Sequence, residues 1–318
     1  MDTRAIEVII PNYNGTSLIK RNLGAVLASL FEEKNVKVTI VDDGSDKKQI
    51  EELEELLSEF KKKSDIEITL VKKSKNEGFS STVNKGAFAS SADFLVLLNT
   101  DVSPQKNFLK IALSHFDQNP KLFGVGCLDK SIEGSKTILR GRGIGDWKRG
   151  FVVHKKGEIT RSDTFWIGGG SSIIKKNLFV QLGGFDEIYN PFYWQDIDLS
   201  YRAKKSGYEI IFEKESVVVH RHAEGAIQTH YSPFRIKTIS FRNQFIFVWK
   251  NIDDVTLLVN HLVWLPYYFL VALLHMDLAF YAGFILAISR FTDIIKKRKK
   301  QKEQYKKTDR QLLKPENA

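Results

Sequence analysis

Four stretches of this 318-residue chain place a carboxylate or an imidazole directly after an apolar or aromatic run. Asp101 follows Phe94-Leu95-Val96-Leu97-Leu98-Asn99-Thr100, Asp42-Asp43 follow the run 36–41, and His220 and His222 follow Val217-Val218-Val219. Asp196 and Asp198 open a helical pattern after Phe192-Tyr193-Trp194-Gln195. A carboxylate at the carboxyl end of a buried strand sits where α/β sheets bind ligands. Such a group can hold a hard divalent cation, which in turn holds phosphate oxygens. Asp101 can equally cap a helix that opens near Pro104, so both roles stay open at this point. Adjacent carboxylates repel, and at least one of Asp42 and Asp43 is therefore expected to face a cleft or solvent. Asp196 and Asp198, two residues apart, do not share a helix face. One of them is expected to look into the cleft while the other caps the helix or pairs with Arg202. Two imidazoles around a strand end favour a ligand role.

The elements that must position these groups alternate in kind. Apolar runs at 6–10, 36–41 and 66–71 read as strands, and 16–30 and 47–62 carry apolar residues at helical spacing. That alternation predicts an α/β fold with a doubly wound, mostly parallel sheet and helices on both faces. Right-handed crossovers bring the loops 11–15, 42–45, 76–79 and 99–101 to one edge. The loop 76–79 precedes a helix whose free N-terminal amides would suit an anion. A helix is expected over 104–118, a strand over 122–128, and a polar, glycine-bearing excursion over 129–163. Within that excursion, Gly141-Arg142-Gly143-Ile144-Gly145 lacks the following helix that a dinucleotide loop needs, and it reads as a flexible loop. Gly169 and Gly170 mark a place where a ligand can approach the backbone closely.

In this order the motifs resemble an inverting family 2 glycosyltransferase of the glycosyltransferase-A fold. Val8-Ile9-Ile10-Pro11-Asn12-Tyr13-Asn14-Gly15 is similar to the family's opening strand and turn, and Val41-Asp42-Asp43-Gly44-Ser45 to its base- and ribose-binding loop. Asn76-Glu77-Gly78-Phe79, with Asn84, resembles its nucleotide-side segment. Asn99-Thr100-Asp101 stands at the Asp-x-Asp metal motif with Asn in the first place, as in rhamnosyltransferase-like members. Gly183-Gly184-Phe185-Asp186-Glu187 matches the acceptor-side signature, and Gln195-Asp196-Ile197-Asp198-Leu199 the Glu-Asp motif with Gln replacing Glu.

The resemblance implies roles residue by residue. Asp196 is the general base. Pro11, Asn12, Tyr13, Asn14, Asp42, Asp43, Asn76, Gly78, Asn84, Asn99 and Thr100 bind the nucleotide. Asp101 and His220 hold a divalent cation, Mg or Mn, with His222 as the competing histidine. Trp194, Gln195, Asp198, Gly169 and Gly170 lie on the acceptor side. The implied reaction moves one sugar, with inversion, from a nucleotide-diphosphate sugar of UDP or dTDP type to a hydroxyl of a glycan or lipid-linked acceptor. Processive members carry a Gln-x-x-Arg-Trp motif that this sequence lacks, so a single transfer per binding event is expected. The alternatives are a non-catalytic nucleotide-sugar-binding membrane scaffold and a polyprenyl-phosphate glycosyltransferase.

The formal charge of +10 is unevenly placed: residues 290–318 hold eleven lysines and arginines against four acids. This basic stretch follows an apolar one, 255–289, interrupted by Asn260, His261, Pro266, His275 and Asp277. Two full spans need about 20 residues each, and a single span sets the basic end against the positive-inside tendency. An interfacial or re-entrant helical pair on an anionic membrane surface satisfies both constraints, with Trp264, Tyr267 and Tyr268 at headgroup depth. A buried helical subdomain or a dimer interface, and with it a homo-oligomer, is the alternative. Nucleic-acid binding is not expected, because the tail has no interleaved aromatic platform beyond Tyr305. One cysteine, Cys127, excludes an internal disulfide and a Cys-based zinc site and fits a reducing compartment. No secretory signal pattern opens the sequence, which places the expected site of action at the cytoplasmic face of the cell membrane. The expected organisation is a catalytic domain over 1–230, a connecting helical segment over 231–254, an apolar helical appendage over 255–289 and a basic flexible tail over 290–318.

Overall fold

The computed structural model describes residues 4–221 and 231–313, so His222 lies outside the described residues. The chain opens as β1 (Ile6–Asn12), α1 (Thr16–Ser29), β2 (Val36–Asp42), α2 (Lys47–Lys63), β3 (Glu67–Lys72), α3 (Phe79–Ala89) and β4 (Phe94–Leu98). β1 pairs in parallel with β2 and β4, and β2 with β3. Successive strand residues face opposite sides of a sheet, and here both sides are apolar. Val8, Ile10, Val96 and Leu98 enter one core with residues of α1 and α2, while Ile9, Leu95 and Leu97 enter another with Val83 and Ala87 of α3. Burial on both faces is why these strands read as unbroken apolar runs.

The second half of the sheet is mixed. β10 (Ser171–Lys175) runs antiparallel between β4 and β6 (Leu122–Glu133), and β11 (Glu209–His220) runs parallel to β6. The short β5 (Val102–Pro104) pairs with β11, giving the order β3-β2-β1-β4-β10-β6-β11-β5, and β7 (Lys136–Arg140) adds to β6. Two expectations change here. The helix expected over 104–118 is α4 (Phe108–Gln118), because residues 102–104 are drawn into the sheet edge. The excursion 129–163 is mostly strand: the end of β6, then β7, then a hairpin of β8 (Gly143–Lys148) and β9 (Phe151–Lys156). Its glycines hide the pattern because aromatic rings occupy the space of their side chains. A Cβ on Gly143 would lie 2.0 Å from Trp166, and one on Gly145 would lie 2.2 Å from Phe165.

After α5 (Lys176–Gln181) and α6 (Gln195–Lys205) come α7 (Pro233–Asn251), α8 (Val255–Leu274), α9 (Leu278–Ile288), α10 (Phe291–Lys302) and α11 (Asp309–Leu312). They form the expected C-terminal helical region, closely packed on the rest of the fold, and the stretch expected to be a flexible tail is helical over 291–302 and 309–312. Phe245–Val248 of α7, Ala272, Phe280, Ala287 and Ile294 share one core with Phe151 of β9 and with Trp194, Ile197 and Tyr201 around α6. Buried charges fasten the same interface. Lys250 Nζ lies 2.6 Å from Asp186 Oδ2 and 2.7 Å from Asp198 Oδ1, and Lys205 Nζ lies 2.6 Å from Asp253 and 2.7 Å from Asp309. The basic residues of 296–302 sit on a helix pinned by fully buried Ile294 and by Lys297, 2.8 Å from Asp186 Oδ1. Composition suggested a loose tail because its few anchoring side chains are scattered among many charges. α8 is the one described helix that is by itself long and apolar enough to cross a membrane, and Leu262, Val263, Leu273 and Leu274 are each more than 60% exposed.

Candidate active site

Three neighbouring strand ends build the cluster around Asp101. His220, the last residue of β11, pairs with Val102 of β5 on one side and with Ser131 of β6 on the other. The registers put Asp101 Oδ2 3.1 Å from His220 Nε2, and Asp129 Oδ2 2.8 Å from His220 Nδ1. Ser131 Oγ donates to the second Asp129 oxygen at 2.8 Å. Burial alone would lower the His220 pKa, but carboxylates on both ring nitrogens push it up to about 9. Asp101 is not a helix cap: β5 separates it from α4, whose N-cap position is Asn107. Among the described residues no group of three or more His, Cys, Asp or Glu is arranged to hold a metal ion. What the cluster does offer is one oxygen and one nitrogen aimed at each other, with an outer carboxylate fixing the ring, the usual support of a metal-binding histidine. A divalent cation completed by ligand oxygens fits that donor set.

The loops of the first half converge, although several of their side chains hold one another. Asp42 is fully buried: Asn12 Nδ2 donates to its Oδ2 at 2.6 Å, and Ser45 donates its N–H at 2.9 Å and its hydroxyl at 2.6 Å. Asp43 accepts from Gly78 N–H at 2.8 Å, Glu77 N–H at 3.0 Å and Lys73 Nζ at 2.6 Å. Both carboxylates are thus buried and paired, against the expectation that one would be open; the separate donors around each, with the Lys73 ammonium on Asp43, offset the repulsion that motivated it. The helix-start amides at 79 and 80 are also taken, by Pro191 O and Asn190 Oδ1, so α3 offers no ready anion site. Asn14 joins the first two loops through Ser45 and Asp46. Asn84 faces Phe185 and Glu187 rather than a cleft, with its amide oxygen accepting from Phe185 N–H at 2.9 Å. Pro11, Tyr13, Asn99 and Thr100 are half-buried, Asn76 is exposed, and Gly78 is buried against Pro191.

Asp196 comes from the second half of the chain. It lies in the first turn of α6, after Tyr193 and Trp194, both in the left-handed backbone region at φ 67° and 73°. Its side chain is partly exposed, and Oδ1 accepts from Ile197 N–H at 2.9 Å. Burial raises its pKa, opposed by the N–H groups of Ile197, Asp196 itself and Gly169. Gly170 O accepts from Asn99 N–H at 3.0 Å, so the 168–170 loop joins the Asp101 strand end to the start of α6. Asp198 corrects its acceptor-side assignment. It is fully buried and accepts from Arg202 Nε at 2.7 Å, Tyr189 Oη at 2.9 Å and Asn251 Nδ2 at 2.8 Å. Gln195 is nearly buried, and its Oε1 has no hydrogen-bond partner.

The sequence matches the profile of Glycosyl transferase family 2 over residues 7–179, more than half of the chain. The chain belongs to this family. Family likeness extends to a pre-mycofactocin glycosyltransferase of Mycobacterium tuberculosis, 24% identical over 219 residues, covering 69% of this chain and 43% of the relative. A poly-beta-1,6-N-acetyl-D-glucosamine synthase of Staphylococcus aureus is 24% identical over 212 residues, 67% of this chain and 48% of the relative. The chain therefore spans less than half the length of these two relatives. In fold it resembles a mannosyltransferase of Pyrobaculum calidifontis solved with GDP-Man and manganese, with TM-score 0.58, 16% identity, and coverage of 92% of this chain and 88% of that one. It also resembles GalNAc-T7 solved with UDP, GalNAc and manganese, with TM-score 0.60, 18% identity, and coverage of 78% and 48%. The mixed sheet with its flanking helices is of the glycosyltransferase-A type.

Sequence reasoning on this family member missed Asp129 and Ser131, which sat in the stretch assigned to a loop. It also missed His154 of β9, which stands edge-on to Trp166 and Trp194 at ring-centroid distances of 5.4 and 5.1 Å. Asp129 follows the apolar run 122–128 just as Asp101 follows 94–98, so the strand-end signal was there to find.

Proposed function

We propose that this chain is a metal-dependent, inverting glycosyltransferase that moves one sugar from a nucleotide-diphosphate sugar to a hydroxyl of a glycan or lipid-linked acceptor at the cytoplasmic membrane face. The observation that carries the reading is the contrast within one helical turn. Asp198 is sealed in ion pairs, while Asp196 is partly exposed and its pKa is raised by burial. A carboxyl in that state is suited to take a proton from an attacking acceptor hydroxyl once within about 2.6–3.2 Å of it. Asp101 and His220 would hold the divalent cation, with Asp129 orienting the imidazole. When bound, that cation supplies Lewis-acid neutralisation of the diphosphate leaving group. Relatives of the same fold were solved with manganese beside UDP or GDP-Man, which supports a nucleotide-sugar donor here. The Asn at 99 and the missing processivity motif favour a rhamnosyltransferase-like, single-transfer member.

The membrane reading rests on how α8 is held. Trp147 Nε1 donates to Asn260 at 2.9 Å, and His261 Nδ1 lies 2.6 Å from Gly150 O, so one side of α8 is bolted to the β8–β9 hairpin. A helix fixed this way, with its other side apolar and exposed, suits lying in a membrane surface beside the basic residues of α10. Asp196→Asn tests the catalytic role: transfer should fall by about 10²–10⁴-fold, while nucleotide-sugar affinity stays at the wild-type value. An equal fall in both would overturn the assignment.

A further inference from the structure

The two segments that hold the Asp196 carboxylate each carry an indole, and one side chain from a third segment meets both. Gly169 N–H reaches Asp196 from the loop 168–170, three residues after half-buried Trp166. Trp194 stands two residues before Asp196 and is 5% exposed. His154 of β9 lies edge-on to both rings, 5.4 Å from Trp166 and 5.1 Å from Trp194 between centroids. The strand explains its place. Residues two apart on a strand share a face, and Val152 is fully buried in the core that holds Trp194. His154 follows at the exposed margin of that core.

The polar atoms of these rings are unspent. Among the described residues, neither ring nitrogen of His154 has a hydrogen-bond partner, nor has the indole N–H of Trp166 or of Trp194. Trp147 and Trp249, by contrast, donate at 2.9 and 3.0 Å. A buried indole N–H usually finds a partner, and an unsatisfied one calls for an explanation. Gln195 Oε1, on the residue next to Trp194, is unpartnered too. Burial lowers the His154 pKa below the usual histidine value, so at pH 7 the imidazole is neutral and offers one donor and one acceptor. Three uncharged rings with open nitrogens suit a pyranose, which presents hydroxyls at its rim and C–H groups on its faces.

We propose that His154 is a specificity-determining residue: with Trp166 and Trp194 it forms the subsite that reads individual hydroxyls of the sugar presented to Asp196. The proposal rests on the glycosyltransferase reading and deepens it by naming what selects the acceptor. A site built to hydrogen-bond a hydroxyl rejects an analogue that lacks it, because its own polar groups are then left unpaired.

The test is titration of the full chain, with magnesium and saturating UDP or GDP, by the methyl glycosides of glucose, galactose, mannose, rhamnose and N-acetylglucosamine. Indole fluorescence reads occupancy, since Trp166 and Trp194 lie at the subsite. At least one glycoside should bind in the millimolar range, and its monodeoxy forms are then compared. Removing one particular hydroxyl should weaken binding to the wild type about ten-fold. That penalty should vanish in His154→Phe, which keeps a ring against both indoles and lacks the nitrogens. Trp166→Phe, which loses the N–H, should weaken the parent glycoside about five-fold. Affinity for whichever of UDP or GDP the wild type binds should stay unchanged in both variants. Such coupling between one side chain and one hydroxyl is what a purely structural role would not produce. Deoxy penalties that are the same in wild type and His154→Phe would overturn the proposal, as would nucleotide affinity falling in step. So would the absence of millimolar binding by every glycoside to a chain that binds its nucleotide. If circular dichroism shows His154→Phe unfolded, His154→Ala takes its place in the same comparison. Failure of the glycosyltransferase reading would appear separately, as no nucleotide or nucleotide-sugar binding by the wild type.

Discussion

Lys250→Met probes whether the C-terminal helices are part of the catalytic unit. Lys250 is 1% exposed and its ammonium touches two buried carboxylates, Asp186 and Asp198. Removing one partner of a buried ion pair costs about 3–5 kcal/mol, because the remaining charge is left in a poor medium. Here each acid keeps a second cation: Asp186 keeps Lys297 at 2.8 Å and Asp198 keeps Arg202 at 2.7 Å. The loss should therefore sit at the lower end, about 3 kcal/mol, enough to lower the melting midpoint by several degrees. The effect should also depend on pH. Burial alone would raise both carboxyls, but Lys250 and its fellow cations hold Asp186 and Asp198 below the ordinary carboxylate range. Their contribution is thus fully present above the unfolded pKa of about 4 and is lost as pH falls below it. Thermal melts of wild type and Lys250→Met from pH 3 to pH 8 should differ most above about pH 5 and converge in acid. A variant as stable as wild type at pH 7, or a gap that does not narrow in acid, would refute the claim that these charges fasten the two regions.

Two further outcomes follow from the same geometry. Asp129→Asn should weaken manganese binding about 10–100-fold through the His220 ring it orients, read by electron paramagnetic resonance titration, with little change in nucleotide affinity without metal. A chain ending at Lys250 should fail to melt cooperatively or should aggregate, since it loses Asp253 and Asp309, the two partners of fully buried Lys205; a sharp melting transition in that truncation would contradict the packing described above.

The parallel half of the sheet was legible because its strands are apolar on both faces and are separated by helices with clear spacing, as at 36–41 and 47–62. The second half was harder to read. β5 is three residues long and exists only because β11 lies beside it, a pairing across more than a hundred positions that no local pattern encodes. The β8–β9 hairpin was hidden by glycines whose apolar partners, Phe165 and Trp166, come later in the chain. At the candidate site, residue type and strand-end position singled out Asp101 and His220, and the family resemblance singled out Asp196. They did not reveal which polar groups were already spoken for. Asp42, Asn84 and Asp198 carry the same chemistry as ligand-binding residues, and only their neighbours in space show that each already has partners within the chain.

The lock of Asp309 on α6 has a consequence for biosynthesis. Tyr201 Oη and Lys205 Nζ reach Asp309 at 2.5 and 2.7 Å, across 108 and 104 positions of sequence. On a ribosome, a helix whose side chains wait for a partner a hundred residues downstream stays incompletely packed for seconds after it emerges, at 5–20 residues per second. The helix that carries Asp196 would be among the last parts of the protein to become rigid. Synthesis order alone would then delay a competent active site until the apolar helices had emerged and could meet a membrane.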